Sequence, residues 1–285
     1  MSLRMPIFSE DSSLPSIGAQ PVSASVLSAR LLSSPSGNAK DKPALVFLHG
    51  LLGNGKDWQD VIDALGNDFN CLTIDLPGHG ESQHIDVAGF DDTCALIATT
   101  IQYHLHQPFW LIGYSLGARL AMYLSAIQRE SVGEGDARLA GLIIESGHTG
   151  LPIQERAARK DHDARWAARF EQEPIVDVLQ DWYQQAVFSS LNHEQKQSLV
   201  AIRSDNLGVK VASMLRATSL AKQPILSQAL KNSGLPLYYL CGENDQKFAA
   251  LAKYSGFAFF TIPNAGHNIH TEQPALFSQH VKRLI

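Results

Sequence analysis

Three residues whose side chains together make a proton relay stand far apart in the chain, in the order Ser115, Asp245, His267. The serine lies inside Gly113-Tyr114-Ser115-Leu116-Gly117, the G-x-S-x-G pattern of a strained turn that lifts a hydroxyl clear of a sheet. In such a set the carboxylate of Asp245 orients and stabilises an imidazole. His267 then takes a proton from Ser115 or, through it, from a substrate. Local sequence leaves alternatives, because Glu243 neighbours Asp245 and His270 neighbours His267; Gly266 favours His267. A second glycine-rich stretch, His49-Gly50-Leu51-Leu52-Gly53, follows an apolar run. Beside a serine elbow it supplies the Leu51 N–H to an oxyanion pocket, with Leu116 N–H as the other donor; on local sequence alone it also reads as an ordinary strand-to-helix turn.

Short apolar runs and helical segments must place these residues. Strands are expected at 43–48, 70–74, 109–114, 139–145, 235–241 and 258–262, with an edge strand near 23–31. Helices are expected at 56–65, 90–106, after the elbow, at 248–254 and from 273 to the end. Asp75 ends a strand, but an Asp before Leu76-Pro77-Gly78 readily caps its own backbone and is read as structural. Strands alternating with helices through short turns argue for an α/β fold, a mostly parallel central sheet flanked by helices. The alternation breaks between 151 and 222, where helical segments at 154–170, 175–185, 192–204 and 209–219 follow one another. This divides the chain into an N-terminal extension (1–40) without assigned chemistry, a core (41–150 and 223–285), and an inserted all-helical cap (151–222) that would bury and choose the substrate.

A chain of 285 residues holds a sizeable core, and a net charge of -5 gives no general attraction to nucleic acid or anionic membrane. Any anionic ligand must be held by local arginines. Cys71, Cys94 and Cys241 are widely spaced and form no C-x-x-C pair, which points to reduced thiols, a cytoplasmic setting and no zinc site. Neither a membrane-length apolar run nor a secretory leader is read at the start of the chain.

With these motifs in place the chain resembles the MenH family, the 2-succinyl-6-hydroxy-2,4-cyclohexadiene-1-carboxylate (SHCHC) synthases of menaquinone biosynthesis, lyases built on the α/β-hydrolase fold. The resemblance runs from about Ala44 onward through Phe47-Leu48-His49-Gly50, Asp75-Leu76-Pro77-Gly78-His79-Gly80 and the elbow with Arg119. It continues through Gly147-His148, Arg156 with Arg159, Asp181-Trp182-Tyr183-Gln184-Gln185, Phe188, Arg203-Ser204, Tyr239-Leu240-Cys241-Gly242-Glu243, and Gly266-His267-Asn268 with His270. It implies a small polycarboxylate substrate and elimination of pyruvate, with neither metal nor organic cofactor. Oligomeric state is not read from the sequence, and a monomer is the default expectation. It also implies that Arg119, Arg159 and Arg203 grip the carboxylates, although each arginine alone reads as part of a solvated helix face. Trp182 and Tyr183 become pocket walls rather than cap core, and Tyr114 a substrate contact. An ester or thioester hydrolase using the same triad is the alternative activity, and a silent binding protein on the same scaffold a further one.

Overall fold

The computed structural model describes residues 26–32, 42–127 and 138–285. Seven strands form one sheet: β1 (Ala29–Leu32), β2 (Ala44–Leu48), β3 (Asn70–Ile74), β4 (Phe109–Tyr114), β5 (Leu139–Glu145), β6 (Leu237–Gly242) and β7 (Ala258–Ile262). Their order is β1-β3-β2-β4-β5-β6-β7, with β1 antiparallel to β3 and every other pairing parallel. The chain therefore steps outward from β2 in one direction and then in the other, which makes the carboxyl ends of β2 and β4 the switch point where open α/β sheets bind ligands. Leu48 pairs with both Ile74 and Gly113, so these strands finish level with one another.

The strands are apolar on both faces because both faces are covered. Val46 and Leu48 of β2 enter the core shared with α2 (Phe90–His104) and α3 (Leu116–Ile127), while Leu45 and Phe47 enter the one shared with α1 (Gln59–Leu65) and the C-terminal helix. Between β5 and β6 the described chain is helical throughout its regular elements: α4 (Ile153–Gln172), α5 (Ile175–Trp182), α6 (His193–Arg203), α7 (Gly208–Ala217) and α8 (Ser227–Asn232). Helices α4 to α7 build a separate apolar cluster around Phe170, Leu179, Tyr183 and Leu215, and Leu52 from the loop after β2 belongs to it. Three helices close the chain: α9 (Gln246–Ser255), α10 (Ile269–Glu272) and α11 (Pro274–Leu284).

The edge strand is shorter than the expected 23–31, and residues 23–25 lie outside the described chain, as does most of the N-terminal extension. Strand β6 starts at 237 rather than 235, after Pro236, which has no N–H for the ladder and offers only its carbonyl, to Leu142 N–H at 2.9 Å. Helix α10 lies between the expected strand at 258–262 and the expected helix from 273, where no regular element is expected. No described helix is long and apolar enough to cross a membrane.

Candidate active site

Ser115 caps β4 with a φ of 49°, a left-handed conformation that a non-glycine residue adopts only where the surroundings force it. Two glycines make that turn sterically feasible. A Cβ at Gly113 would stand 2.5 Å from Gly117 O, and one at Gly117 would stand 2.2 Å from Leu48 O. The serine N–H bonds Glu145 O at 2.9 Å and its carbonyl accepts Arg119 N–H at 3.0 Å, so the elbow is pinned to β5 and to α3 together.

Asp245 is the N-cap of α9. One oxygen accepts Phe248 N–H at 3.2 Å and the other lies 2.7 Å from His267 Nδ1. With the proton on Nδ1, Nε2 faces Ser115 Oγ at 3.4 Å, a separation of the kind that shortens when substrate is bound. Asp245 and His267 are both nearly excluded from solvent. The two neighbours left open by sequence go elsewhere. Glu243 accepts Asn264 N–H at 3.2 Å, and His270 meets Glu145 rather than Asp245.

The loop after β2 is fixed by two buried histidines. His49 Nδ1 bonds Gly50 O at 2.7 Å and its Nε2 accepts Leu76 N–H at 2.9 Å. His79 Nδ1 bonds Pro77 O at 2.9 Å and its Nε2 accepts Leu52 N–H at 3.0 Å. Each histidine thus braces the other's loop through a nitrogen that must stay unprotonated. Burial pushes the His79 imidazole down to about 3, with His49 adding to the effect, and it also lowers His49. Asp75 organises the same region, accepting Gly55 and Glu81 N–H at 2.7 and 2.9 Å.

A small cavity beside the triad is lined by Leu51, Tyr114, Trp182, Tyr183, Arg203 and His270, among others. Tyr114 is buried, donates its hydroxyl to Asn268 Oδ1, and has its phenol pushed well above the ordinary value by burial and then by Glu145. Tyr183 packs on Phe188, which in turn meets the His267 ring, while Trp182 packs against Trp166 and Phe170. Arg203 bonds Asp57 Oδ1 at 2.7 Å; burial opposes its charge, but Asp57 and Tyr183 outweigh that and raise it.

The three arginines do not form one cluster. Arg203 stands at this cavity with its carboxylate partner. Arg119 is buried with Nη1 on Thr218 O at 2.7 Å, and Arg159 bonds Asp163 at 2.7 Å. Arg119 and Arg159 stand near Lys247 and His148. Burial first and then Arg159 bring Arg119 down to about 9 and also lower Lys247. His148 falls to about 4 through burial, followed by Lys247, Arg119 and Arg159. Asp163, which bonds Arg159 and raises Arg119, offsets part of the positive charge. Lys247 and Asp57 were not singled out from sequence; only the fold brings them to the site. The signal for Lys247 was its place two residues after Asp245.

A parallel sheet with a serine elbow at its switch point, backed by an Asp–His pair, defines an α/β hydrolase, and the alpha/beta hydrolase fold family matches residues 43–274. The SHCHC synthase of Citrobacter koseri is 48% identical over 246 residues, covering 86% of this chain and 94% of that protein. The one from Salmonella agona is 50% identical over 238 residues, covering 82% and 90%. The structure of MenH from S. aureus superposes with a TM-score of 0.80 at 26% identity, covering 90% of this chain and 97% of that one. An esterase from Thermogutta terrifontis, at 22% identity and a TM-score of 0.71, shares the fold. Within the α/β hydrolases, the chain belongs to the SHCHC synthase family.

Proposed function

We propose that the chain converts 2-succinyl-5-enolpyruvyl-6-hydroxy-3-cyclohexene-1-carboxylate to SHCHC with release of pyruvate, as a lyase of menaquinone biosynthesis. The observation that carries this reading is the line from Asp245 through His267 to Ser115 on the strained elbow. Ser115 and His267 remove the ring proton next to the succinyl ketone, electrons move through the ring double bond, and the enolpyruvyl oxygen departs. No water attacks and no acyl-enzyme forms, so the step asks for a base, an oxyanion pocket and a grip on carboxylates. Leu51 and Leu116 N–H supply the pocket, each donor being worth about 3 kcal/mol to the developing charge.

Arg119, Arg159 and Arg203 hold the substrate's carboxylates, with Tyr114, Trp182 and Tyr183 as walls. The guanidinium fork matches a carboxylate with two parallel bonds. The helical segment 151–222 acts as the cap over the core formed by 41–150 and 223–285. Three free, buried cysteines fit work in the reducing cytoplasm.

The test is to supply the enolpyruvyl substrate and follow pyruvate by a coupled dehydrogenase. Ser115→Ala and His267→Ala should each lower turnover by about 10²-fold or more. Full turnover in either variant would remove the relay. Fast turnover of a p-nitrophenyl ester with a burst of acyl-enzyme, and no pyruvate release, would replace the lyase with an ester hydrolase.

A further inference from the structure

A second imidazole–carboxylate pair stands beside the triad. Glu145 ends β5 with no solvent exposure, and its carboxylate takes two donors, both from His270: the ring Nδ1 at 2.8 Å and the backbone N–H at 3.1 Å. The ring of His270 lies between Trp58, at 4.4 Å between centroids, and Tyr114, at 4.6 Å. Its Nε2 bonds no other described residue, and the residue lines the cavity together with Leu51, Tyr114 and Arg203. Tyr114 also touches the His267 ring, at 5.3 Å, so one phenol contacts both imidazoles.

The two pairs differ in how the acid is held. Asp245 has a donor besides its histidine, Phe248 N–H at the start of α9. Glu145 has no donor other than His270 among the described residues, and a carboxylate wholly removed from water is costly unless a countercharge accompanies it. Protonated on both nitrogens, His270 would supply that countercharge and hold an Nε2–H at the cavity it lines. The groups facing the ring are Glu145 from β5, Tyr114 from β4 and, at the cavity, Asp57 and Arg203, which neutralise each other. On its own helix Glu272 turns instead to Gly266 and Asn268 N–H.

Resting on the reaction given above, we propose that His270, held by Glu145, is the general acid that protonates the departing enolpyruvyl oxygen. The proton removed and the bond broken lie on opposite ring carbons, so a base and an acid on separate elements fit the chemistry. The bookkeeping closes. The C–H electrons form the new ring double bond, the old double bond shifts, and the C–O electrons leave with oxygen. His267 gains one proton, His270 gives one, and the enolpyruvate released tautomerises to pyruvate in water. Solvent then resets both imidazoles.

The experiment compares wild-type enzyme, His270→Gln and Glu145→Gln across pH with the enolpyruvyl substrate, alongside nitrogen NMR of histidine-labelled wild type at neutral pH. His270→Gln should lower kcat by about 10²-fold with KM little changed, and should abolish the fall in kcat at alkaline pH expected of wild type. Glu145→Gln should move that alkaline fall to lower pH. In resting wild type, His270 assigned through its own backbone resonances should carry protons on both ring nitrogens. Retention of kcat within about threefold in His270→Gln, or an unchanged alkaline limb, would overturn the assignment. If the variant does not fold, an unprotonated Nε2 in the wild-type spectrum overturns it alone. Absence of pyruvate release by wild type would defeat the proposed reaction instead, and the spectrum would still report on the pair.

Discussion

Replacing His79 with Phe keeps a ring in a fully buried site and deletes both of its bonds, leaving Leu52 N–H and Pro77 O without partners. An orphaned buried donor costs about 1–3 kcal/mol, so the variant should be less stable than wild type by that order at pH 7.5. The informative quantity is how this penalty changes with pH. The folded-state imidazole sits at about 3 and the free one at 6.5, a depressed value, so the stability it contributes is full above pH 6.5 and drains away as pH falls toward about 3. At pH 5 the unfolded chain binds the proton and the folded chain does not. This lies about 1.5 pH units below the free value, at about 1.4 kcal/mol per unit, and takes ~2 kcal/mol from wild type. The phenylalanine variant has no such group, so its penalty should shrink by ~2 kcal/mol between pH 7.5 and 5. Urea unfolding of both proteins at the two pH values measures this. A penalty identical at both pH values would refute the view that His79 is held neutral as an acceptor.

Three further outcomes follow from the geometry. Gly117→Ala drives a Cβ to 2.2 Å from Leu48 O and 2.6 Å from His49 O, both backbone atoms that cannot swing aside, so thermal unfolding should show a loss of about 3 kcal/mol or more together with loss of turnover. Arg203→Ala leaves Asp57 with its charge unpaired in a site largely closed to water and should cost about 3–5 kcal/mol in urea unfolding; the Arg203→Ala/Asp57→Ala double variant should recover part of it. Lys247 has no ion-pair partner among the described residues and stands within the field of Arg159, so Lys247→Met should raise KM about tenfold with kcat nearly unchanged.

The elements that were legible in the sequence are those whose signal is local. Strand β4 meeting Gly113-Tyr114-Ser115 is written in consecutive residues, as are the glycine turns after β2 and β3 and the run of helices between β5 and β6. What was not legible depends on pairs far apart in the chain. Nothing near Arg203 indicates that Asp57, 146 residues away, will meet it. The ambiguity between His267 and His270 had the same origin. Both follow Gly266 closely, and only the arrival of Asp245 at one ring and Glu145 at the other separates their roles. Glu145 did carry a local hint, since a carboxylate closing the run Leu142-Ile143-Ile144 at the middle of a buried sheet must find a partner inside.

Those long-range pairs also tie the helices between β5 and β6 to the loop after β2. Leu52 leaves the sheet's own core and packs among Tyr183, Leu199 and Leu215. Its carbonyl accepts Asn206 Nδ2 at 3.1 Å, and Asp57, a few residues on, takes Arg203. The loop bearing Leu51 N–H is therefore held from beneath by His49 and His79 and from above by α6 and the turn that follows it. Lifting that turn and helix from the core would expose Leu52, unpair a nearly buried Asp57 and release the loop on its upper side. The oxyanion donor proposed at Leu51 is effective only where it is aimed before charge develops, so on that proposal α6 and its following turn govern whether the donor is in place.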